Sequence, residues 1–170
     1  MSTKFFNNGL GNTLFDKLKG IASEMATFDR FLAVVGFFRS SGYFKLRKEL
    51  GDISEIKILV GINIDDIFRK HNKALLMLAD EEKAKEIYHN GFKEDIVNAQ
   101  YSPEVEEGIL QMCEDLVSGR LQMRIHATKN LHAKFYLCLP QNHSEHSDGW
   151  VIMGSSNISD SGLGIKQPPQ

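Results

Sequence analysis

The sequence predicts an α/β protein, with a mixed, mostly parallel sheet and helices on both faces. Short apolar runs rich in strand formers alternate with stretches of helical periodicity. Arg30 to Phe38, RFLAVVGFF, and Glu55 to Gly61, EIKILVG, read as buried strands. Between them a helix opens at Ser40 or Ser41, runs to Leu50 and is stopped by Gly51. That strand–helix–strand order implies a right-handed crossover joining a parallel pair.

The remaining elements follow from local pattern. Leu14, Leu18, Ile21, Ala22 and Met25 recur at helical spacing, which predicts a first helix over 13–28 capped by Asn12 or Thr13. Residues 65 to about 90 read as helical with a break near Ala79–Asp80, and 92–99 as a further short helix. Ser102-Pro103-Glu104 is a helix start, with proline at the first position and acids in the first turn, and the helix ends at Ser118–Gly119. Three more strands are expected at 120–127, 131–139 and 150–153. The expected organisation is a single domain over 1–165 with a helical extension at 65–119. Residues 166–170 have linker composition and read as a boundary, or as the point at which a longer chain is cut.

Composition excludes several classes. With 42% hydrophobic and 25% charged residues, the chain is of ordinary globular type. At 170 residues it is long enough to need neither disulfide nor structural metal. Cys113 and Cys138 stand in no metal-type spacing, and a reduced, cytoplasmic setting is expected. No apolar run approaches the roughly 18 residues needed to span a bilayer, and the first residues have no secretory pattern. No GxxxxGK[ST] is present, so no ATPase site of its own is expected. A net charge of −2 gives no general affinity for nucleic acid. Charge is unevenly placed, however. Acids crowd 80–115, and none occurs from Leu116 to Ser144, where Arg120, Arg124, Lys129 and Lys134 fall. Such a segment attracts phosphate.

Within that segment, LHAKFYLCLPQNHSEHSDGWVIMGSSN at 131–157 reads as two antiparallel strands joined by a polar loop. Alternation puts Leu131, Ala133, Phe135, Leu137 and Leu139 on one face, the expected core face. His132, Lys134, Tyr136 and Cys138 take the other, with His132 and Lys134 about 6.5–7 Å apart along the strand. The second strand delivers Gly154-Ser155-Ser156-Asn157, where Ser155 and Asn157 share a face. An imidazole, an ammonium, a hydroxyl and a carboxamide suit a phosphodiester: the imidazole attacks phosphorus and the others hold the oxygens. A second His-x-Lys, His71-Asn72-Lys73, lies in a helical stretch where residues two apart diverge, and reads as surface. His143 and His146 lie in the hairpin loop without partners at metal-ligand spacing, so no metal is expected. Phe37, Phe38, Tyr43 and Phe44 read as core rather than as a base-stacking platform.

HAK at 132–134 and GSSN at 154–157, with ISDSGL after them, resemble the HxK…GSxN pattern of the phospholipase D superfamily. GFFRSSGYF at 36–44 and KILVG at 57–61 are similar to phospholipase D-like domains at the N-terminus of bacterial SNF2-like helicases, or in metal-independent restriction endonucleases. The resemblance implies a cofactor-free nuclease (a hydrolase) acting on DNA or other nucleic acid through a phosphohistidine. In it His132 is nucleophile or general acid, and Lys134, Ser155 and Asn157 bind phosphate. It also implies a helicase motor elsewhere on a longer chain. A member with one motif completes its site as a homodimer, with two His132 residues facing each other across a twofold axis.

The chain departs from the pattern at three places, one of them the long loop between the two strands, which holds His143, Glu145, His146 and Asp148. Leu139 stands where lipid enzymes carry an Asp, which weighs against a lipid phosphodiesterase. The Glu that orients the His in many nucleases of the family would fall near Gln167-Pro168-Pro169-Gln170. Its absence leaves two expectations: a fragment cut before that Glu, or a catalytically silent module that grips nucleic acid for a motor.

Overall fold

The computed structural model describes residues 5–25, 27–64, 103–126 and 131–165. The helices expected over 65–99, the His71-Asn72-Lys73 triplet and the 166–170 tail lie outside them. The described elements run α1 (Leu14–Glu24), β1 (Phe28–Phe38), α2 (Ser40–Leu50), β2 (Glu55–Ile64), α3 (Pro103–Val117), β3 (Leu121–Ile125), β4 (Phe135–Pro140), β5 (Trp150–Met153) and α4 (Asp160–Leu163). The α/β class is as expected. The strands form one open sheet ordered β3-β2-β1-β4-β5. β1 pairs in parallel with β2, and β2 with β3, while β4 runs antiparallel to both β1 and β5.

Local chemistry sets the boundaries. At α1, Thr13 accepts from the Asp16 amide at 3.0 Å and Asp16 answers to the Thr13 amide at 2.9 Å, a reciprocal cap. The helix stops at Glu24 rather than reaching Phe28, because Phe28 is recruited into β1 opposite Pro140. Gly51, at φ 67°, ends α2 in a conformation that glycine adopts without strain. The four-residue α4, absent from the sequence reading, is set by Ser159, whose hydroxyl accepts from the Gly162 amide at 3.0 Å.

One face of the sheet carries the buried core. Phe31, Ala33 and Val35 of β1, Ile56, Ile58 and Val60 of β2, Leu121 of β3, and Tyr136 and Cys138 of β4 join Leu14, Leu18, Leu46 and Met112 from the helices. This corrects the expected core face of β4. The set Leu131, Ala133, Phe135, Leu137 and Leu139 is only half-buried, and Lys134, Tyr136 and Cys138 are buried instead. Alternation identified the two sets but not which faced the helices. Tyr and Cys bury readily, and Tyr136 stacks on Phe31 while its hydroxyl donates to the Ser156 carbonyl at 2.6 Å. The buried apolar side chains of α1, α2 and α3 all join this one cluster, and no described helix contributes to a core on the opposite face.

A buried charge cluster locks α3 to α2. Asp115 is wholly buried and accepts from Arg47 Nε at 2.6 Å, Arg47 Nη2 at 3.2 Å, Tyr43 at 3.0 Å and Arg120 at 3.1 Å. Burial alone would push its carboxyl up, but the Arg47 guanidinium, helped by Tyr43 and Arg120, holds it below the ordinary Asp value. A carboxylate lowered in the folded state adds stability that is present above its unfolded value of about 3.9 and is lost as pH falls through the folded value. Asp115→Ala strands Arg47, which is 6% exposed. We expect a loss of about 3–5 kcal/mol in urea unfolding at pH 7, shrinking as the pH is taken below 4. A loss under about 1 kcal/mol would show that the cluster does not hold the helices.

Candidate active site

The chain ends of the sheet converge at one edge. The C-terminal ends of β1 and β2, the segment leading into β4 and the segment leaving β5 all lie there, the usual place for a site in an open α/β sheet. Between Val35 and Phe37 the β1–β2 register slips: Val35 faces Val60, and Phe37 faces Asn63, so β2 carries one residue more. Gly36 and Gly61 sit at this slip. A Cβ on Gly61 would lie 2.7 Å from the Leu131 carbonyl oxygen and 3.0 Å from that of Gly36. Both neighbours are backbone and cannot move aside cheaply. The missing side chains therefore let 131–134 settle directly on the strand ends.

This close approach changes the expected geometry of His-x-Lys. The strand begins only at Phe135, so His132 and Lys134 do not stand side by side on a ladder. Lys134 folds inward to 4% exposure, with its Nζ 2.7 Å from the His132 carbonyl oxygen and 3.1 Å from His132 Nδ1. His132 is exposed. No carboxylate among the described residues pairs with Lys134. An ammonium has no acceptor capacity, so with Lys134 as the donor at this contact Nδ1 is the acceptor.

Asn157 reaches the same spot from the other side. Its Oδ1 accepts from the Gly36 amide at 3.1 Å and the Phe37 amide at 3.0 Å. Two N–H donors fix which end of the carboxamide is oxygen, and leave Nδ2 to donate to a ligand. Asn157 Oδ1 and Lys134 Nζ both lie within 3.5 Å of the point where a Cβ on Gly36 would sit. The structure thus brings together His132, Lys134 and Asn157. Ser155 is exposed on the turn after β5 and bonds to none of them, whereas Ser156 is buried and held by Tyr136 and by Asn8 Nδ2 at 3.5 Å.

Sequence reasoning missed Gly36, Gly61, Tyr136 and Asn8. A glycine inside an apolar strand run was the available signal for the first two. The hairpin loop is locally tied: Ser147 Oγ lies 3.0 Å from His143 Nδ1, and His146 pairs with Glu145 at 3.4 Å on the surface. Among the described residues no three His, Cys, Asp or Glu side chains converge as metal ligands, and no helix is long and apolar enough to cross a membrane. No protein-family model matches the chain, and no curated protein matches it significantly.

A buried ammonium with no counter-ion among the described residues is held at a cost in stability. Lys134→Met should leave unfolding stability unchanged or raise it by roughly 1 kcal/mol; we expect tungstate or phosphate to raise the melting temperature of the wild type and not that of the variant. A variant that unfolds more easily yet still binds the oxyanion would contradict an anion-binding role.

Proposed function

We propose that this chain is a metal-independent phosphodiesterase module of the phospholipase D kind, acting on DNA through a phosphohistidine. The observation that carries the reading is the buried, carboxylate-free Lys134 ammonium beside an exposed imidazole, with the Asn157 amide converging on it. A phosphate supplies the missing negative charge. As it binds, Lys134 turns from Nδ1 to the phosphate oxygens, and His132 can hold its proton on Nδ1. Nε2 then attacks phosphorus, forming the P–N bond as the P–O bond to the leaving group breaks. Asn157 Nδ2 and Ser155 donate to the non-bridging oxygens, Ser155 after a turn of its exposed side chain. A second imidazole protonates the leaving oxygen, then takes a proton from the water that cleaves P–N. With one motif per chain, that imidazole is His132 of the partner subunit in a homodimer. The resemblance of 36–44 and 57–61 supports a place for the module beside a helicase motor or in a restriction protein.

One observation favours a second reading, a silent module that grips the nucleic-acid backbone. With Lys134 as the donor, the Nδ1–Lys134 contact leaves the proton of a neutral ring on Nε2, which is then a donor and not a nucleophile.

Cleavage of plasmid and single-stranded DNA in EDTA separates the two. We expect cleavage that falls by about 10³-fold or more in His132→Ala, with a sedimentation coefficient of a dimer. Binding without EDTA-resistant cleavage, weakened by Lys134→Ala, would establish the silent module instead.

A further inference from the structure

The carboxamide of the candidate site is held by residues outside the motif that carries it. Asn157 Oδ1 accepts from the amides of Gly36 and Phe37. Phe37 was expected in the core but is 37% exposed, turned out where the β1–β2 register slips, while Phe38 stays buried. The chain around Asn157 is fixed through three successive carbonyls. That of Asn157 accepts from the Ser159 amide at 3.0 Å, and that of Ile158 from the Arg39 amide at 2.8 Å, both main-chain donors. The carbonyl of Ser156, in the peptide that enters Asn157, accepts instead from a side chain, the Tyr136 hydroxyl. We infer that Tyr136 is a positioning residue of the site: by holding that peptide, it aims Asn157 Nδ2 at the phosphate. The inference rests on the reading of Asn157 as a phosphate donor given above.

Tyr136 stands two residues after Lys134, at the second position of β4, and ties the His-x-Lys segment to the Gly-Ser-x-Asn segment 20 residues on. The ladder fixes its backbone on both sides, opposite Ala33 of β1 and Ile152 of β5. Its ring is 1% exposed and stacks on Phe31, with centroids 6.3 Å apart, so the hydroxyl is delivered from a fixed base. Burial pushes the phenol above the ordinary tyrosine value, so it stays a protonated donor at neutral pH. Ser156 is itself buried, and a buried carbonyl that loses its donor is left unsatisfied. The Asn157 main chain is also backed by α4: a Cβ on Gly162 would meet the Asn157 carbonyl oxygen and lie 2.7 Å from its amide nitrogen. A ligand-binding group works at full strength only when such a supporting layer fixes it to within about 0.5 Å.

The test is the affinity for tungstate, measured by isothermal titration well below the melting temperature of each protein, in a double-mutant cycle of Tyr136→Phe and Asn157→Ala. Phenylalanine keeps the ring that stacks on Phe31 and removes the hydroxyl alone. Asn157→Ala should weaken tungstate binding about 10- to 100-fold, and Tyr136→Phe about 3- to 30-fold. The double variant should lose no more than Asn157→Ala alone, because the hydroxyl then has no carboxamide to position. A hydroxyl that only stabilises the fold would lower the melting temperature of Tyr136→Phe without moving the affinity of the folded protein. The inference is overturned if Tyr136→Phe binds tungstate like wild type, or if its loss adds in full to that of Asn157→Ala. Where Asn157→Ala is weakened as expected, either result leaves the phosphate reading standing. Tungstate binding that Asn157→Ala does not change, or no binding by wild type, sinks both.

Discussion

The contact on which the candidate site depends is between backbones. The carbonyl of Leu131 rests where the side chain of Gly61 would be, 2.7 Å from a Cβ that is not there, and 3.3 Å from the corresponding point on Gly36. Any other residue at Gly61 would lift 131–134 off the strand ends. Lys134 would lose its buried position, and His132 with it, since Lys134 Nζ holds both its ring and its carbonyl. Hydrophobic burial builds the sheet and its helices, but two absent side chains decide what can be assembled at its edge.

The same economy explains the electrostatics. Two cations are buried among the described residues, and they are treated in opposite ways. Arg47 is matched to Asp115 through two hydrogen bonds, with further donors completing the carboxylate. Lys134 has a ring nitrogen and a carbonyl oxygen and no described anion. The first arrangement is complete in itself and belongs to the fold. The second makes two hydrogen bonds and is unmatched in charge among the described residues, and it is the one at the sheet edge where an open α/β sheet binds ligands.

Much of this was legible in the sequence, and what was not has identifiable causes. Strong periodicity and caps located α1, α2, β1, β2 and the start of α3 closely, because Thr13, Gly51 and Pro103 act through local chemistry. His132, Lys134, Ser155 and Asn157 were picked out as a candidate set from residue type and spacing, and the fold brings the first two and Asn157 together. Their geometry was not legible, since it is imposed by strands 70 to 120 residues away in sequence. The inverted core face of β4 has the same origin: alternation distinguishes two faces, and only tertiary packing says which one meets the helices. Phe37 was assigned to the core because a slip in register cannot be seen in one strand alone. Ser155 fitted the motif, yet the turn leaves it outside the hydrogen-bonded group.

Asn8 ties the opening residues of the chain into this edge. In a left-handed conformation at φ 55°, it donates to Gly162 O at 3.2 Å and to Ser156 Oγ, and accepts from the Leu14 amide at 3.2 Å. These bonds span 148 and 154 positions, and the Asn157 bonds to β1 span about 120. Closing loops of that length carries a large entropic cost before any contact rewards it. The β1–α2–β2 unit, whose pairing is far more local, can form without them. The edge that gathers His132, Lys134 and Asn157 is therefore held by contacts that close long loops, and its assembly carries an entropic cost that the more local β1–α2–β2 unit does not.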